Sequence, residues 1–319
     1  MIFPNSQATI PMETTNRKTL VVLLGATATG KTETAIRLAR AFGSEIVSSD
    51  SRQIYREMSI GTAKPTAAEL AAVPHHFISI RSVREDYSAG RYEEDALECL
   101  DELFKRHDVL FLVGGSGLYI DALCNGMDAL PEVDAELRRE LTEQARSEGL
   151  GPLLERLREL DPEYYERMDR HNPQRVVRAL EVCLQSGRPY STLRKGASRP
   201  RPFDIVRIGI RMPREVLYER IDRRVDIMME QGLEQEARSL YGLRDCNALQ
   251  TVGYRELFDW FDSKITREKA VELIKRNSRR YAKRQETWFG RDERTRWFEG
   301  GPTCAEAVEK YLRDMLRLP

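Results

Sequence analysis

The chain has 319 residues and balances 51 lysines and arginines against 51 aspartates and glutamates, so its formal net charge is zero. Apolar residues make up 41% and charged ones 32%, which excludes a disordered polar chain, and no apolar run approaches the length needed to span a bilayer. The length calls for a main domain plus a second domain or a sizeable insertion.

Residues 1–17 are polar, with Pro4 and Pro11, and lack the basic start, apolar stretch and small-residue cleavage site of a secretory signal; they read as a disordered tail, with Met12 as an alternative start. Thr19 to Leu24 (TLVVLL) is a continuous apolar run, the pattern of a strand buried on both faces of a parallel sheet. From Glu33 to Phe42 apolar residues recur at helical spacing up to Gly43. Glu45 to Ser49 reads as a short strand closing on Asp50, and Val109 to Val113 as another buried strand closing on Gly114 and Gly115. Strand, glycine turn, helix and strand is the doubly wound α/β pattern, which places ligands at the carboxyl ends of the strands. Between about Asp134 and Gln185 the chain becomes a series of charged amphipathic helices broken at Gly149, Gly151, Pro162 and Pro173. A Pro-, Arg-, Ser- and Gly-rich loop follows, a strand pattern resumes at Asp204 to Ile210, and Pro213 to Arg244 and Arg267 to Gly290 read as long helices.

The five cysteines (Cys99, Cys124, Cys183, Cys246 and Cys304) are scattered, without a Cys-x-x-Cys pair or zinc-like spacing, and are expected to be reduced thiols in the cytoplasm. Charge is segregated despite the neutral total. One basic block spans Lys275 to Arg296, and a second lies between Arg170 and Arg207. Such surfaces suit nucleic acid, and equally suit ordinary solvated helix faces.

Gly25-Ala26-Thr27-Ala28-Thr29-Gly30-Lys31-Thr32 fits G-x-x-x-x-G-K-[ST] and sits between a buried strand and a helix, where a phosphate-cradling loop must sit. Backbone N–H groups and the helix dipole would hold phosphate oxygens, Lys31 would add a cation, and the Thr32 hydroxyl is placed for Mg²⁺. There is no Asn-Lys-x-Asp for guanine, and the strand ending at Val113 carries no terminal acid; the candidate acid is Asp50, as a general base or an indirect metal ligand. Arg220 and Arg224, four residues apart, share a helix face and suit a diphosphate, or else pair with Glu219 or Asp226. The resulting fold is α/β: a P-loop NTPase-like parallel sheet flanked by helices (18–127 and 203–319), interrupted by an all-helical insertion domain (128–202).

Eight ordered blocks then resemble one family closely: GATATGKT (25–32), DSRQIYREMSIGTAKP (50–65), LVGGSGLY (112–119), DAELR (134–138), NPQRVVRALEV (172–182), LYERIDRRVDIMMEQGLEQE (217–236), QTVGYRE (250–256) and AKRQETWF (282–289). They resemble the bacterial-type tRNA dimethylallyltransferases, which prenylate N6 of the adenosine beside the anticodon, position 37. The resemblance implies that the loop holds dimethylallyl diphosphate, that Lys31, Arg220, Arg224 and Mg²⁺ at Thr32 stabilise the leaving diphosphate, and that Asp50 accepts a proton from N6. It implies RNA contacts at Asp50, Ser51, Arg52, Gln53, Ser116, Arg138, Gln174, Arg175, Val176, Val177, Arg178, Gln250, Thr251, Val252, Gly253, Tyr254 and Arg255. Gln53 would read an edge of the base and the insertion would grip the anticodon stem-loop, in a cytoplasmic monomer. Ser116 stands where the family usually has Thr, Ala26 replaces a frequent Pro, Arg52 replaces a smaller or apolar residue, and the eukaryotic relatives' C-terminal zinc finger is absent.

Three other readings use the same loop. A small-molecule kinase would turn over ATP, an adenylate prenyltransferase would accept free AMP and need no Gln174 to Arg178 surface, and an RNA-binding protein with a structural loop would need no donor.

Overall fold

The runs expected as buried strands hydrogen-bond side by side, and their carboxyl ends meet at one edge. In the computed structural model, which describes residues 18–128, 130–131, 134–196 and 199–318, the strands are β1 (Thr19–Gly25), β2 (Ile46–Ser48), β3 (His75–His76), β4 (Val109–Gly114), β5 (Asp204–Arg211) and β6 (Arg296–Glu299). The expected tail, 1–17, lies outside the described residues. The strands form one parallel sheet in the order β3-β2-β4-β1-β5-β6. Thr19 pairs with Val109 on one side and with Asp204 on the other, and Ser48 pairs with Val113. The turn after β1, the Gly114-Gly115 turn and the Ser49-Asp50 segment therefore emerge together.

Ahead of the insertion come α1 (Lys31–Ala41), α2 (Ala67–Ala72), α3 (Ala89–Phe104) and α4 (Gly117–Asn125). The insertion holds α5 (Ala135–Ser147), α6 (Gly151–Leu160), α7 (Pro162–Arg167), α8 (Pro173–Ser186) and α9 (Tyr190–Leu193). After β5 come α10 (Arg214–Glu230), α11 (Leu233–Ser239), α12 (Tyr254–Phe261), α13 (Arg267–Phe289) and α14 (Cys304–Leu316). Strand side chains alternate between faces. Val21 and Leu23 pack with Ala35, Leu38 and Ala39 of α1 and Val308 and Leu312 of α14. Leu20, Val22 and Leu24 are equally buried on the opposite face, where α13 lies against β1 and α3 against β4. Among the described residues no helix is long and apolar enough to cross a membrane.

The chain divides into two compact units, one of residues 18–124 with 201–318 and the other Asn125–Pro200. The boundaries fall at 125 and 200 rather than at 128 and 202. α4 runs on to Asn125, and Arg201 is held in the first unit by Leu123 O (2.7 Å), Ala122 O (2.9 Å) and the Glu93 carboxylate (2.6 Å). The second unit has its own core, with Leu141, Leu153, Leu157, Tyr164, Val176 and Leu180 among its members. Asp134 caps α5 through the N–H groups of Glu136 and Leu137, and Asn172 caps α8 ahead of Pro173. Truncating any of those buried leucines to alanine costs about 2–5 kcal/mol.

The segment read as one helix from Pro213 to Arg244 is broken: α10 ends at Glu230, Gly232 takes a positive φ of 102°, and α11 starts anew. The edge strands β3 and β6 were not anticipated, being two and four residues long, too short to display an alternation.

Candidate functional site

The loop from Gly25 to Lys31 joins the end of β1 to the start of α1. Ala28 sits at φ 67°, in the left-handed region that a side chain resists, so the loop stores local strain. Thr29 Oγ1 donates to Ala26 O (2.9 Å), and the Lys31 ammonium donates to Gly25 O (2.9 Å) and Ala26 O (2.6 Å). Burial first, and then the Arg224 guanidinium, push the Lys31 ammonium down to about 7, while Asp50 acts in the opposite sense.

Arg224 is half-buried and donates to Thr27 Oγ1 at 3.3 Å; burial and then Arg220 lower its affinity for its proton. Arg220 is exposed and touches Met212 Sδ at 3.7 Å. Among the described residues neither arginine forms an ion pair, because the acids of α10 turn elsewhere: Asp226 to Lys275 (2.6 Å) and Asp222 to Arg279 (2.5 Å). The alternative of salt-bridged arginines therefore falls away, and Arg224 is the one held against the loop.

Asp50 follows β2. Its Oδ1 accepts the N–H groups of Arg52 (2.8 Å) and Gln53 (3.2 Å), which leaves Oδ2 uncommitted among the described residues. The turn is tied to the end of β4: Ser116 Oγ accepts from the Ser51 N–H (2.9 Å) and donates to Ser51 Oγ (3.0 Å). The hydroxyl that replaces the family's usual Thr is thus in use. Gln53 Nε2 donates to Thr62 O and Ala63 O, each at 3.1 Å.

A cleft of about 710 Å³ is lined by Thr27, Lys31, Thr32, Asp50, Gln53 and Arg224, with Tyr281 and Gln285 of α13 and the apolar side chains of Ile60, Ile78 and Met228. That volume suits a ligand with a charged head and a short apolar part. Gln285 was not anticipated. Its buried amide bridges two turns, Oε1 accepting the Thr27 N–H (2.9 Å) and Nε2 donating to Gly115 O (2.8 Å). A Cβ on residue 115 would lie 2.2 Å from Gln285 Nε2, so any side chain there would displace the bridging amide. The signal was present: Ala282, Gln285 and Phe289 share the buried stripe of α13, and a polar residue in such a stripe needs partners.

The remaining positions are disposed unevenly. Gln174 and Arg175 are exposed on the first turn of α8, but Val176 and Val177 are buried in their own unit's core and have no side chain to offer a partner. The helix period that exposes 174 and 175 turns 176 and 177 inward. Arg138 and Arg178 both meet the fully buried Glu181 carboxylate, at 2.7 and 3.2 Å, and Arg178 also donates to Pro131 O. Gln250 and Arg255 are exposed, Thr251 and Val252 half-buried, and Gly253 buried. Tyr254 is buried, its hydroxyl donating to Glu236 at 2.6 Å, so it is an internal strut rather than a contact surface. Of the block from Lys275 to Arg296, Lys275 and Arg279 serve α10, whereas Arg280, Lys283, Arg284 and Arg291 are exposed without an acidic partner among the described residues.

The family described as IPP transferase matches residues 53–292. The tRNA dimethylallyltransferase 2 of Porphyromonas gingivalis is 52% identical over 287 residues, 90% of this chain and 95% of that protein. The crystal structure of the tRNA isopentenylpyrophosphate transferase of Bacillus halodurans matches with a TM-score of 0.71 and 39% identity, covering 94% of this chain and 97% of that one. A eukaryotic dimethylallyltransferase acting on tRNA matches with a TM-score of 0.77 and 25% identity, covering 95% and 80%.

Proposed function

The chain belongs to the IPP transferase family, and we propose that it moves a dimethylallyl group from dimethylallyl diphosphate to N6 of the adenosine beside the anticodon of tRNA. The observation that supports this reading best is the shared cleft, which the phosphate loop, Arg224 and Asp50 line together. As the bond between the allylic carbon and oxygen breaks, negative charge grows on the diphosphate, where loop N–H groups, Lys31 and Arg224 receive it, with Arg220 at the approach. The new bond forms between that carbon and N6, and the N6 proton passes to Asp50. Adenine N6 is a weak nucleophile because its lone pair is delocalised into the ring, so removal of this proton matters to the rate.

Mg²⁺ fits the residues present. The Thr32 hydroxyl lines the cleft, as does Asp50, and among the described residues no cluster of three or more His, Cys, Asp or Glu forms a dedicated metal cage. Such a sparse set suits a hard cation held mainly by substrate oxygens and water. When bound, it would neutralise diphosphate charge at Thr32.

An adenine stacked in an anticodon loop must be turned out to enter the cleft. Exposed Gln174 and Arg175 on one unit, and Arg280, Lys283, Arg284 and Arg291 on the other, are the candidates for phosphate contacts. Donor and acceptor groups come from the same unit, so a single copy suffices. The test is diphosphate release from dimethylallyl diphosphate by the full chain with Mg²⁺. Release that requires an adenosine-bearing anticodon stem-loop supports the reading; release driven equally by AMP, or consumption of ATP alone, refutes it.

A further inference from the structure

Glu236 of α11 accepts four hydrogen bonds. Its Oε2 takes the N–H groups of Ser59 (2.9 Å) and Ile60 (2.8 Å), and its Oε1 takes the Gly61 N–H (2.9 Å) and the Tyr254 hydroxyl (2.6 Å). Three successive amides on one carboxylate clamp the 59–64 turn to α11. Gly61 leaves no room for a side chain as the ring is placed, since a Cβ there would sit 2.6 Å from the Tyr254 hydroxyl oxygen. The turn closes through Ala63 N–H to Ile60 O (3.0 Å) and Lys64 N–H to Ser59 O (3.1 Å), with Ala63 forced to φ 49°.

The consequence falls on Gln53. So clamped, the turn aims the Thr62 and Ala63 carbonyls at one point, and both accept from Gln53 Nε2. Two carbonyl acceptors admit only the amino end of an amide, so the side chain cannot turn over. Among the described residues its one uncommitted polar atom is Oε1, an acceptor, in the cleft that also holds Asp50.

We infer that Glu236, acting through the 59–64 turn, is a positioning residue that fixes the sense of the Gln53 amide and so makes the site favour a base presenting an N–H donor over one presenting a carbonyl. The inference rests on the proposed reading that this cleft receives an adenine. Adenine offers its 6-amino group to Gln53 Oε1, whereas hypoxanthine offers O6, which leaves two acceptors facing each other. A Gln53 released from the turn can rotate its amino group toward O6 and lose the distinction.

The experiment measures dissociation constants of the full chain for two anticodon stem-loops, one with adenosine and one with inosine at the acceptor position, with inorganic diphosphate affinity as a control. The wild-type chain prefers adenosine about tenfold, the order expected when a buried polar group is left mismatched. Glu236→Ala brings the preference to within about twofold while the diphosphate affinity stays nearly unchanged, since only the turn is released. Glu236→Gln keeps the side-chain volume and one oxygen acceptor but turns an amino group toward the Gly61 N–H, so its preference is intermediate, about threefold. General loosening weakens both RNAs together and leaves the ratio alone. A wild-type ratio in both variants overturns the role of Glu236 while leaving the acceptor reading intact. Failure of the wild-type chain to bind either stem-loop overturns both.

Discussion

Raising the pH from 7 to 9 weakens the binding of inorganic diphosphate about fiftyfold if Lys31 titrates as its surroundings dictate. Its ammonium is pushed from 10.5 down to about 7 by burial and by Arg224, with Asp50 offsetting only part, so holding the charge there costs roughly 5 kcal/mol relative to water. In the free chain Lys31 is half-titrated near pH 7 and neutral above it. A bound diphosphate sets negative charge beside the amine and restores the charged form, so binding takes up a proton, and affinity falls about fivefold over the first pH unit above 7 and about tenfold over the next. The same proton affects folding. The unfolded chain keeps it up to 10.5 and the native chain releases it near 7, so this group's contribution is fully destabilising below 7 and is relieved as the pH rises toward 10.5. Titration calorimetry at constant Mg²⁺, in buffers of low and high ionisation enthalpy, reads both the affinity and the proton count. Lys31→Arg flattens the profile, because a guanidinium does not titrate in this range. A constant wild-type affinity from pH 7 to 9, with no proton taken up, refutes the reasoning.

Asp50→Asn keeps an oxygen for the Arg52 and Gln53 N–H groups but removes the base, so single-turnover transfer slows by about two to four orders of magnitude while RNA affinity is preserved; an unchanged rate constant takes Asp50 out of the mechanism. Gln285→Leu leaves the Thr27 N–H and the Gly115 carbonyl unpaired at about 1–3 kcal/mol each, lowering the melting temperature by several degrees and weakening diphosphate binding. A variant that melts like the wild type contradicts the bridge. Arg175→Ala leaves stability alone and lowers the log–log salt slope of tRNA binding by about one. Arg178→Ala instead removes a partner of buried Glu181, so its larger effect is on the melting curve; a salt slope that ignores Arg175 moves the RNA surface elsewhere.

The strands, the phosphate loop and Asp50 could be read from the chain because each is local: an apolar run, a spacing, an acid at a strand end. The residues that hold those parts together could not. Gln285 reaches Thr27 across 258 positions and Glu236 reaches Ser59 across 177, and no window of sequence contains both partners. Ion pairs are hidden for the same reason: Arg138 and Arg178, which the family resemblance offers as RNA contacts, share the buried Glu181 carboxylate, and Arg279 of the basic block pairs with Asp222. The break at Gly232 was visible as a residue but not as a bend, since glycine also occurs within helices.

Prenyl transfer to adenine N6 in an anticodon stem-loop is tested most directly by mass spectrometry of the RNA. After incubation with the full chain, Mg²⁺ and dimethylallyl diphosphate, digestion should yield N6-isopentenyladenosine from the single adenosine beside the anticodon. An unmodified stem-loop, with the prenyl group found on added AMP or with phosphate released from ATP, would contradict it.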